Sequence, residues 1–377
     1  MTKLWAHSGD AHFLEPESLY RDNLPAEQAD RLPRSERDGD WEIVHVDGEV
    51  LRRRPPKPVT SGEFKGMDIT QLSARPPGSR DVAQRLADLD EEGIWGELVF
   101  PSLGMWNGLI KDPELVRAGA RVVNDWALEE IQSVSERMVC TATVSLLDVD
   151  DAVAEVERTA EMGYKAVFLP VRPPGDRPAW NRDYWEPLWT ATERAGMVAA
   201  FHIGTEAAAT AATVPTVLHG GPGGAVLNYV ETSFPGQRVA VERTRGDHLD
   251  RHPDLKMLVA EAGASWVPYL GDRMNEAYRQ HGMFVTPTLT RSPMEILYTQ
   301  VYSSFQHDVT AVAAMTAMGY RNVIWGDDYP HLEGTYGHTQ KTLHELFDGV
   351  DPEASHRIRI GAFLELFPHV GEPPAEQ

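Results

Sequence analysis

The feature that most constrains this fold is a repeated order of helical pattern, glycine and short apolar run. Gly93, Gly163, Gly196 and Gly319 each directly follow a helical pattern, as glycines that end helices in the left-handed conformation do. Each glycine is followed by an apolar run typical of a buried strand. Strands that alternate with helices are parallel, because the helix supplies the crossover between them. The pattern therefore predicts a parallel α/β fold.

The apolar runs give about eight candidate strands: Leu4–Ser8, Glu97–Phe100, Met138–Ser145, Ala166–Leu169, Val198–Phe201, Leu255–Ala260, Val301–Phe305 and Val323–Trp325. Eight parallel strands with helices between them indicate a (β/α)₈ TIM barrel. A doubly wound sheet is the alternative. The segment Ser8-Gly-Asp-Ala-His12, after the first strand, lacks the G-x-G-x-x-G fingerprint of the dinucleotide-binding version of that fold.

Two stretches interrupt this alternation. Residues from about 21 to 77 carry charge runs and little helical period, and we interpret them as an insertion that forms short hairpins, a lid or an interface arm. Residues from about 205 to 251 are a second excursion, whose glycine cluster at 220–224 indicates a turn or an active-site loop. The sequence therefore predicts one barrel domain over residues 1–370, followed by a polar tail at 371–377.

Charge and composition narrow the classes of partner. The chain has 35 Lys and Arg against 57 Asp and Glu, a formal charge of −22. This balance argues against nucleic acid and against anionic membranes, which both need a basic surface. Cys140 is the only cysteine, so no intrachain disulfide can form, and no run approaches the ~20 apolar residues of a membrane helix. We expect a cytoplasmic protein that acts on a small molecule.

Residues with ligand chemistry follow the predicted strands, where barrel active sites are built. Five strand ends carry histidine or carboxylate: Asp10 and His12 after the first, His202 at the fifth, Glu261 at the sixth, His307 and Asp308 after the seventh, and Asp327 and Asp328 after the eighth. Asp10 and His12 are two residues apart, so in extended backbone both can face one ion. Imidazole and carboxylate without thiolate favour a catalytic divalent metal, Zn²⁺, Mn²⁺ or Fe²⁺.

Four segments carry a family resemblance: Asp10-Ala-His12-Phe-Leu-Glu-Pro16, Phe201-His-Ile-Gly204, Ala260-Glu-Ala-Gly-Ala-Ser-Trp-Val-Pro268 and Trp325-Gly-Asp-Asp-Tyr-Pro-His-Leu-Glu-Gly-Thr335. With these, the chain resembles the amidohydrolase-related family that includes aminocarboxymuconate semialdehyde decarboxylase and γ-resorcylate decarboxylase. The resemblance implies a distorted (β/α)₈ barrel with one divalent metal. Zn²⁺ is the first candidate for this metal, and Mn²⁺ and Fe²⁺ are the alternatives. Relatives are commonly oligomeric, so we expect a homodimer or a larger homo-oligomer.

The resemblance also implies a ligand set. His12, His202 and Asp328 match the family's metal ligands, with Asp10 as a fourth. Asp328 is preferred to Asp327 because the family carries its aspartate directly before Tyr-Pro-His. No lysine stands where a carbamate would bridge two metals, since Lys165 opens its strand instead of closing it.

One position departs from the family. The known decarboxylases carry a histidine after the sixth strand, used as an acid or base, and here Glu261 stands in its place. We expect Glu261 or His307 to supply the proton in decarboxylation of a small aromatic or unsaturated acid. Arg172 is a candidate partner for a second anionic group of the substrate, and Trp106 a candidate pocket wall. Each of three residues also has a purely structural interpretation. Glu261 could form an ion pair with a neighbouring arginine, Arg172 could be an ordinary surface residue, and Trp106 could be part of the core.

Two other functions use the same residues. In hydrolysis of an amide, lactone or related bond, a metal-bound hydroxide would attack, and Asp328 would collect the proton and pass it to the leaving group. The third function is a barrel that binds a ligand without catalysis. The same ligands serve decarboxylation and hydrolysis, so the sequence leaves these two open. A barrel that only binds a ligand predicts that one metal ligand is unfit, whereas all four ligand types are present.

Overall fold

The structure, a computed structural model, describes residues 2–39, 41–53, 76–205, 219, 221–285, 288–331 and 333–375. In chain order the strands are β1 (Ala6–Phe13), β2 (Arg34–Asp38), β3 (Trp41–Val46), β4 (Glu49–Arg53), β5 (Ile94–Pro101), β6 (Met138–Ala142), β7 (Ala166–Pro170), β8 (Val198–His202), β9 (Met257–Ala260), β10 (Val301–Phe305) and β11 (Val323–Trp325). Strands β1 and β5 to β11 form one sheet in that order, and β2 to β4 form a second.

The larger sheet curls into a barrel. Each pair of neighbouring strands in it is parallel. Its first and last strands meet just beyond β11, where the His12 N–H donates to the Tyr329 carbonyl at 2.6 Å and the Asp328 N–H donates to the Asp10 carbonyl at 2.9 Å. The predicted (β/α)₈ TIM barrel is therefore confirmed. Two of the four segments that carry the family resemblance, residues 10–16 and 325–335, lie along its seam, and the other two lie at the ends of β8 and β9.

Helices separate the strands: α1 (Leu19–Asn23), α2 (Ala26–Ala29), α3 (Val82–Glu92), α4 (Pro113–Ala127), α5 (Val149–Glu161), α6 (Glu186–Arg194), α7 (Gly224–Glu231), α8 (Phe234–Arg245), α9 (His248–Arg251), α10 (Trp266–His281), α11 (Pro293–Gln300), α12 (Val309–Thr316), α13 (Thr339–Phe347), α14 (Pro352–His356) and α15 (Ala362–Leu366). Among the described residues, no helix combines the length and apolar character that crossing a bilayer requires.

Helix ends follow local chemistry. The Asp112 side chain accepts hydrogen bonds from two backbone N–H groups in the first turn of α4, and Pro113 occupies the first helical position. Gly93 ends α3 with φ of +81°, as the glycine pattern predicts. Asp81 caps the start of α3 by accepting from the Gln84 N–H.

The first strand differs from its predicted bounds. It was expected at Leu4–Ser8 but lies at Ala6–Phe13, so Asp10 and His12 lie within β1 and not after it. The polar residues from His7 to Asp10 interrupt the apolar pattern, so apolar runs alone do not locate the end of this strand. Within the described part of the chain, helix α6 has no side-chain cap, because a 3₁₀ turn at Asp183–Trp185 leads directly into it.

The insertion contains α1, α2 and an antiparallel meander of β2, β3 and β4, so the predicted short hairpins are present. Its apolar side chains, including Leu32 and Val46, form a cluster with Leu115 and Val116 of α4. Arg31 holds it further, through ion pairs with Asp47 at 2.9 Å and Asp112 at 3.0 Å. Residues 40 and 54–75 of the insertion, residues 206–218 and 220 of the second excursion, and residues 376–377 of the tail lie outside the described residues.

Core residues alternate along the strands. One cluster contains Val167, Leu169, Ala199 and Phe201, and packs between the sheet and the helices. The other contains their neighbours in the strands and fills the barrel interior with Leu98, Phe100, Val139, Ala166, Phe168, Val198, Ala200, Leu258 and Ala260. Side chains from α15 and the following turn join this interior cluster. The filled interior leaves the carboxyl ends of the strands as the place for a site.

Candidate metal centre

Four side chains from remote segments meet at the carboxyl ends of the strands. Asp10 and His12 come from β1, His202 is the last residue of β8, and Asp328 follows β11. The distance from the Asp10 Oδ1 atom to the His202 Nε2 atom is 3.1 Å, and to the His12 Nε2 atom 3.8 Å. The His12 Nε2 atom lies 3.5 Å from the Asp328 Oδ1 atom. All four residues are at most 1 % exposed, so the cluster is both compact and dry.

The backbone of β1 and of the segment after β11 positions two of these residues. The register of β1 against β5 shifts between Ser8 and Ala11, which marks an irregularity around Asp10. Asp328 has φ of +53°, in the left-handed region that non-glycine residues seldom adopt. The hydrogen bond from its N–H to the Asp10 carbonyl holds it there. Such strain is typical of functional positions.

Hydrogen bonds orient the imidazole of His202. Its Nδ1 atom lies 2.7 Å from the Ile203 carbonyl, to which it donates, and this leaves Nε2 directed at Asp10. Ligating histidines commonly have such a carbonyl partner on their other nitrogen. Burial lowers the pKa of His202, but the charge and hydrogen bond of Asp10, the charge of Glu261 and the Ile203 carbonyl together raise it above its usual value.

His331 is a further member of this cluster. Its Nδ1 atom lies 2.8 Å from the Asp328 Oδ1 atom, and its ring centre is 4.2 Å from that of His12. His331 therefore lies against Asp328, where it fixes the orientation of the carboxylate. Asp327 turns the other way and accepts from the Ser8 hydroxyl at 2.6 Å.

The residues present fit a divalent cation. The Asp10 Oδ2 atom is buried and has no hydrogen-bond partner among the described residues, a costly arrangement for a carboxylate oxygen unless a cation neutralises it. Asp10, His12 and His202 each offer one ligand atom, and these three atoms all lie within 4.8 Å of one another. Two imidazoles and two carboxylates are a donor set suited to Zn²⁺, Mn²⁺ or Fe²⁺.

Glu261 lies beside this cluster. It directly follows β9 with φ of +61°, and the Ser304 hydroxyl accepts from its N–H at 2.9 Å. Its Oε2 atom is 4.0 Å from the His202 Nδ1 atom. Burial raises the pKa of Glu261 well above its usual range, and the negative charge of Asp328 raises it further. Within the described ranges no arginine forms an ion pair with Glu261, so the ion-pair alternative lacks a partner there.

The other predicted site residues lie farther out. His307 is exposed, and its Nε2 atom is 3.2 Å from the Glu333 carbonyl. Arg172 is exposed on the loop after β7. Trp106 is partly buried against the cluster that joins the insertion to α4. The structure therefore brings Glu261 to the ligand cluster and leaves His307, Arg172 and Trp106 outside it.

Comparison of the sequence with models of protein families identifies the family of this chain. The family model described as amidohydrolase matches residues 77–362, about three quarters of the chain. The chain belongs to the amidohydrolase family. The family resemblance in the sequence is thereby confirmed. No curated protein matches this amidohydrolase.

Solved structures share its fold. An amidohydrolase of Mycobacterium avium subsp. paratuberculosis K-10 aligns with a TM-score of 0.77 and 21 % identity, over 98 % of this chain and 99 % of that one. The 5-carboxyvanillate decarboxylase of Sphingomonas paucimobilis aligns with a TM-score of 0.67 and 16 % identity, over 97 % and 99 %. A dihydroxybenzoic acid decarboxylase of Polaromonas sp. JS666, with bound manganese, aligns with a TM-score of 0.65 and 17 % identity, over 98 % of both chains.

Proposed function

We propose that this amidohydrolase catalyses the metal-dependent, non-oxidative decarboxylation of a small aromatic or unsaturated carboxylic acid. The observation that carries the proposal is the position of Glu261, a partly buried carboxyl group 4.0 Å from the His202 imidazole. It lies at the edge of the ligand cluster without being one of the proposed ligands, so it is placed to give a proton to a substrate held there. Decarboxylases of aromatic acids among the structures with the same fold add support.

Asp10, His12, His202 and Asp328 are the proposed metal ligands. We keep Zn²⁺ as the first candidate, with Mn²⁺ and Fe²⁺ as alternatives that the donor set also accepts. When bound, a divalent cation supplies positive charge that holds substrate oxygen atoms and offsets negative charge. Two structures of the same fold carry manganese. Elemental analysis of the purified protein identifies the metal.

In this proposal Glu261 gives its proton to the carbon that bears the substrate carboxylate. The bond from that carbon to the carboxylate then breaks, its electron pair returns to the ring, and CO₂ leaves. The products are CO₂ and the acid's parent compound with hydrogen in place of the carboxylate. Glu261 regains its proton through its exposed edge, since 17 % of its side chain is accessible. His331 keeps Asp328 in place throughout.

The remaining predicted roles stay proposals. His307, at the rim, is the second candidate for proton transfer, and Asp328 is the candidate for it in hydrolysis. Arg172 and Trp106 stay candidates for contacts with the outer part of a substrate. The single metal-dependent barrel domain over residues 1–370, the homodimer or larger assembly and the cytoplasmic location also stay predictions.

The test measures CO₂ release from a panel of hydroxybenzoates by metal-loaded protein. Glu261→Gln keeps the shape of the side chain but not its proton, so its rate should fall about 10²- to 10⁴-fold with bound metal unchanged. His307→Gln tests the second candidate for proton transfer, and its rate should stay within a few-fold of wild type if Glu261 is the donor. An undiminished rate in Glu261→Gln would contradict the proposal. Solvent ¹⁸O in the product of an amide or lactone would establish hydrolysis instead.

A further inference from the structure

A cavity lies next to the metal centre, between the ends of β5, β6, β7 and β8. The space in it that is open to water-sized groups is about 30 Å³, which is room for a small ring substituent and not for a whole substrate. Its walls are mostly apolar, with Met105, Val144, Leu146 and Phe168 among them. None of the described residues that line it is charged.

Contacts connect this cavity to the proposed ligand His202. Thr205 lines the cavity, and its hydroxyl donates to the His202 carbonyl at 2.8 Å. Phe168, another lining residue, meets Phe100 edge to face at 6.2 Å between ring centres, and Phe100 meets the His202 ring at 4.7 Å. The cavity is therefore about one layer of side chains from the candidate metal centre.

Two polar side chains in the cavity wall have unused hydrogen-bonding atoms. Asn107 is 8 % exposed, and neither its amide oxygen nor its amide nitrogen has a hydrogen-bond partner among the described residues. The hydroxyl of Thr143, which is 1 % exposed, also has none there. Buried polar groups usually have hydrogen-bond partners, so these atoms in a cavity wall are available to bind a ligand.

The segment that carries Asn107 is held in place from below. The carboxylate of Glu15 accepts backbone N–H groups of Ser102 at 3.0 Å, Leu103 at 2.9 Å and Gly104 at 3.4 Å. Thr143 is fixed by its own N–H, which donates to the Asn124 side chain at 2.8 Å. Both residues are therefore presented on fixed backbone, as a specificity site requires.

We propose that this cavity is a specificity subsite for a neutral hydroxyl group on the aromatic ring of the substrate, bound by Asn107 and Thr143. A hydroxyl both donates and accepts, which matches an amide and a threonine hydroxyl. A second carboxylate would have no positive charge to meet in this wall. The ring itself packs on the apolar lining. That the bound molecule is a substrate rests on the proposed function, whereas the binding of a phenol in this cavity does not.

The test uses phenol and toluene, which differ only in the hydroxyl group, and measures their binding to the metal-loaded protein by calorimetry. Asn107→Leu and Thr143→Val replace the polar atoms with apolar groups of similar size. We expect phenol to bind either variant roughly tenfold to a hundredfold more weakly than wild type, with toluene bound equally or better. Ser102→Ala, on the same loop but outside the cavity, is the control and should leave both affinities unchanged.

Failure of this inference and failure of the proposed function would give different results. Wild type that shows no saturable phenol binding, or phenol binding that neither cavity variant weakens, would overturn the subsite. A protein that binds phenol through Asn107 but decarboxylates no acid would keep the subsite and reject the proposed function. In a decarboxylase, Asn107→Leu should lower kcat/KM only for acids with the ring hydroxyl, a selectivity that a merely unfolded variant cannot produce.

Discussion

At the scale of single residues, Arg85 is a buried charge that supports the candidate metal centre. Its guanidinium donates to the Glu97 carboxylate at 2.9 Å and to the His12 carbonyl at 3.0 Å, and lies 3.8 Å from the Tyr329 ring centre. It thus connects α3 and β5 to the strand that carries two proposed ligands. Arg85 and Glu97 are both 0 % exposed, so each charge depends on the other.

Removal of this arginine should be costly. Arg85→Met leaves Glu97 buried without its partner, and we expect a loss of about 3–5 kcal/mol in the free energy of unfolding. The double variant Arg85→Met, Glu97→Leu removes both charges and should be the more stable of the two. Urea unfolding of metal-free protein measures both. Equal stability of the single and double variants would show that the pair carries no such dependence.

His7 provides a pH dependence far from the proposed ligands. It is fully buried and stacks on Phe363 with ring centres 4.7 Å apart. Burial lowers the pKa of His7 from 6.5 to about 3. Between these pH values the unfolded chain binds a proton that the folded chain does not, so folding stability falls as pH falls, by about 1.4 kcal/mol per unit.

His7→Leu removes this titration. Between pH 6.5 and pH 4, the free energy of unfolding should therefore decline less steeply in the variant than in wild type, whatever its absolute value. His281→Gln, which changes an exposed histidine, should follow the wild-type slope. Urea unfolding at a series of pH values gives the comparison. A His7→Leu curve parallel to that of wild type would contradict the assignment.

At the scale of elements, the seam between β1 and β11 brings the first and last segments of the site together. A Cβ atom on Gly9 would lie 2.7 Å from the Ile324 Cγ2 atom, closer than packed atoms come. Gly9→Ala should therefore push the two strands apart, lower stability by about 1–3 kcal/mol and displace the adjacent Asp10. We expect weaker metal binding as well, measured by titration with Zn²⁺ or Mn²⁺.

The matched control for this change is Gly282→Ala, because nothing lies within 4 Å of a Cβ there and its φ is −53°. Its stability should stay within about 0.5 kcal/mol of wild type. If Gly9→Ala is as stable as this control and binds metal with wild-type affinity, then the β1–β11 seam accommodates the added Cβ atom without loss of stability.

These elements differ in how well the sequence foretells them. Strands β10 and β11 have the predicted bounds, because Phe305 precedes the polar pair Gln306 and His307, and the three residues of β11 are apolar throughout. The end of β1 was placed too early because its buried residues include His7, Ser8, Gly9 and Asp10, which are held by hydrogen bonds and ring contacts and not by apolar periodicity. Asn107 gave no signal at all, since a lone amide in an apolar segment acquires meaning only when the cavity is visible.

At the scale of the whole molecule, the site depends on segments more than 300 residues apart. The sequence could nominate Asp10, His12, His202 and Asp328 because parallel strands in a barrel end at one face. It could not foretell that His331 would contact Asp328 while His307 stays at the rim. Those outcomes depend on side-chain direction in the loops, which follows no period.

Because the proposed ligands come from both ends of the chain, a bound metal should stabilise the whole fold. At free metal 100 times its dissociation constant, the gain is about 2.7 kcal/mol, which chelation should remove with a fall in Tm. His202→Ala should abolish bound metal and the response to chelator, with the circular dichroism spectrum kept. His356→Ala, at an exposed histidine, should respond as wild type does. Stoichiometric metal retained in His202→Ala would exclude this residue as a ligand, because one missing donor of four must weaken the site severely.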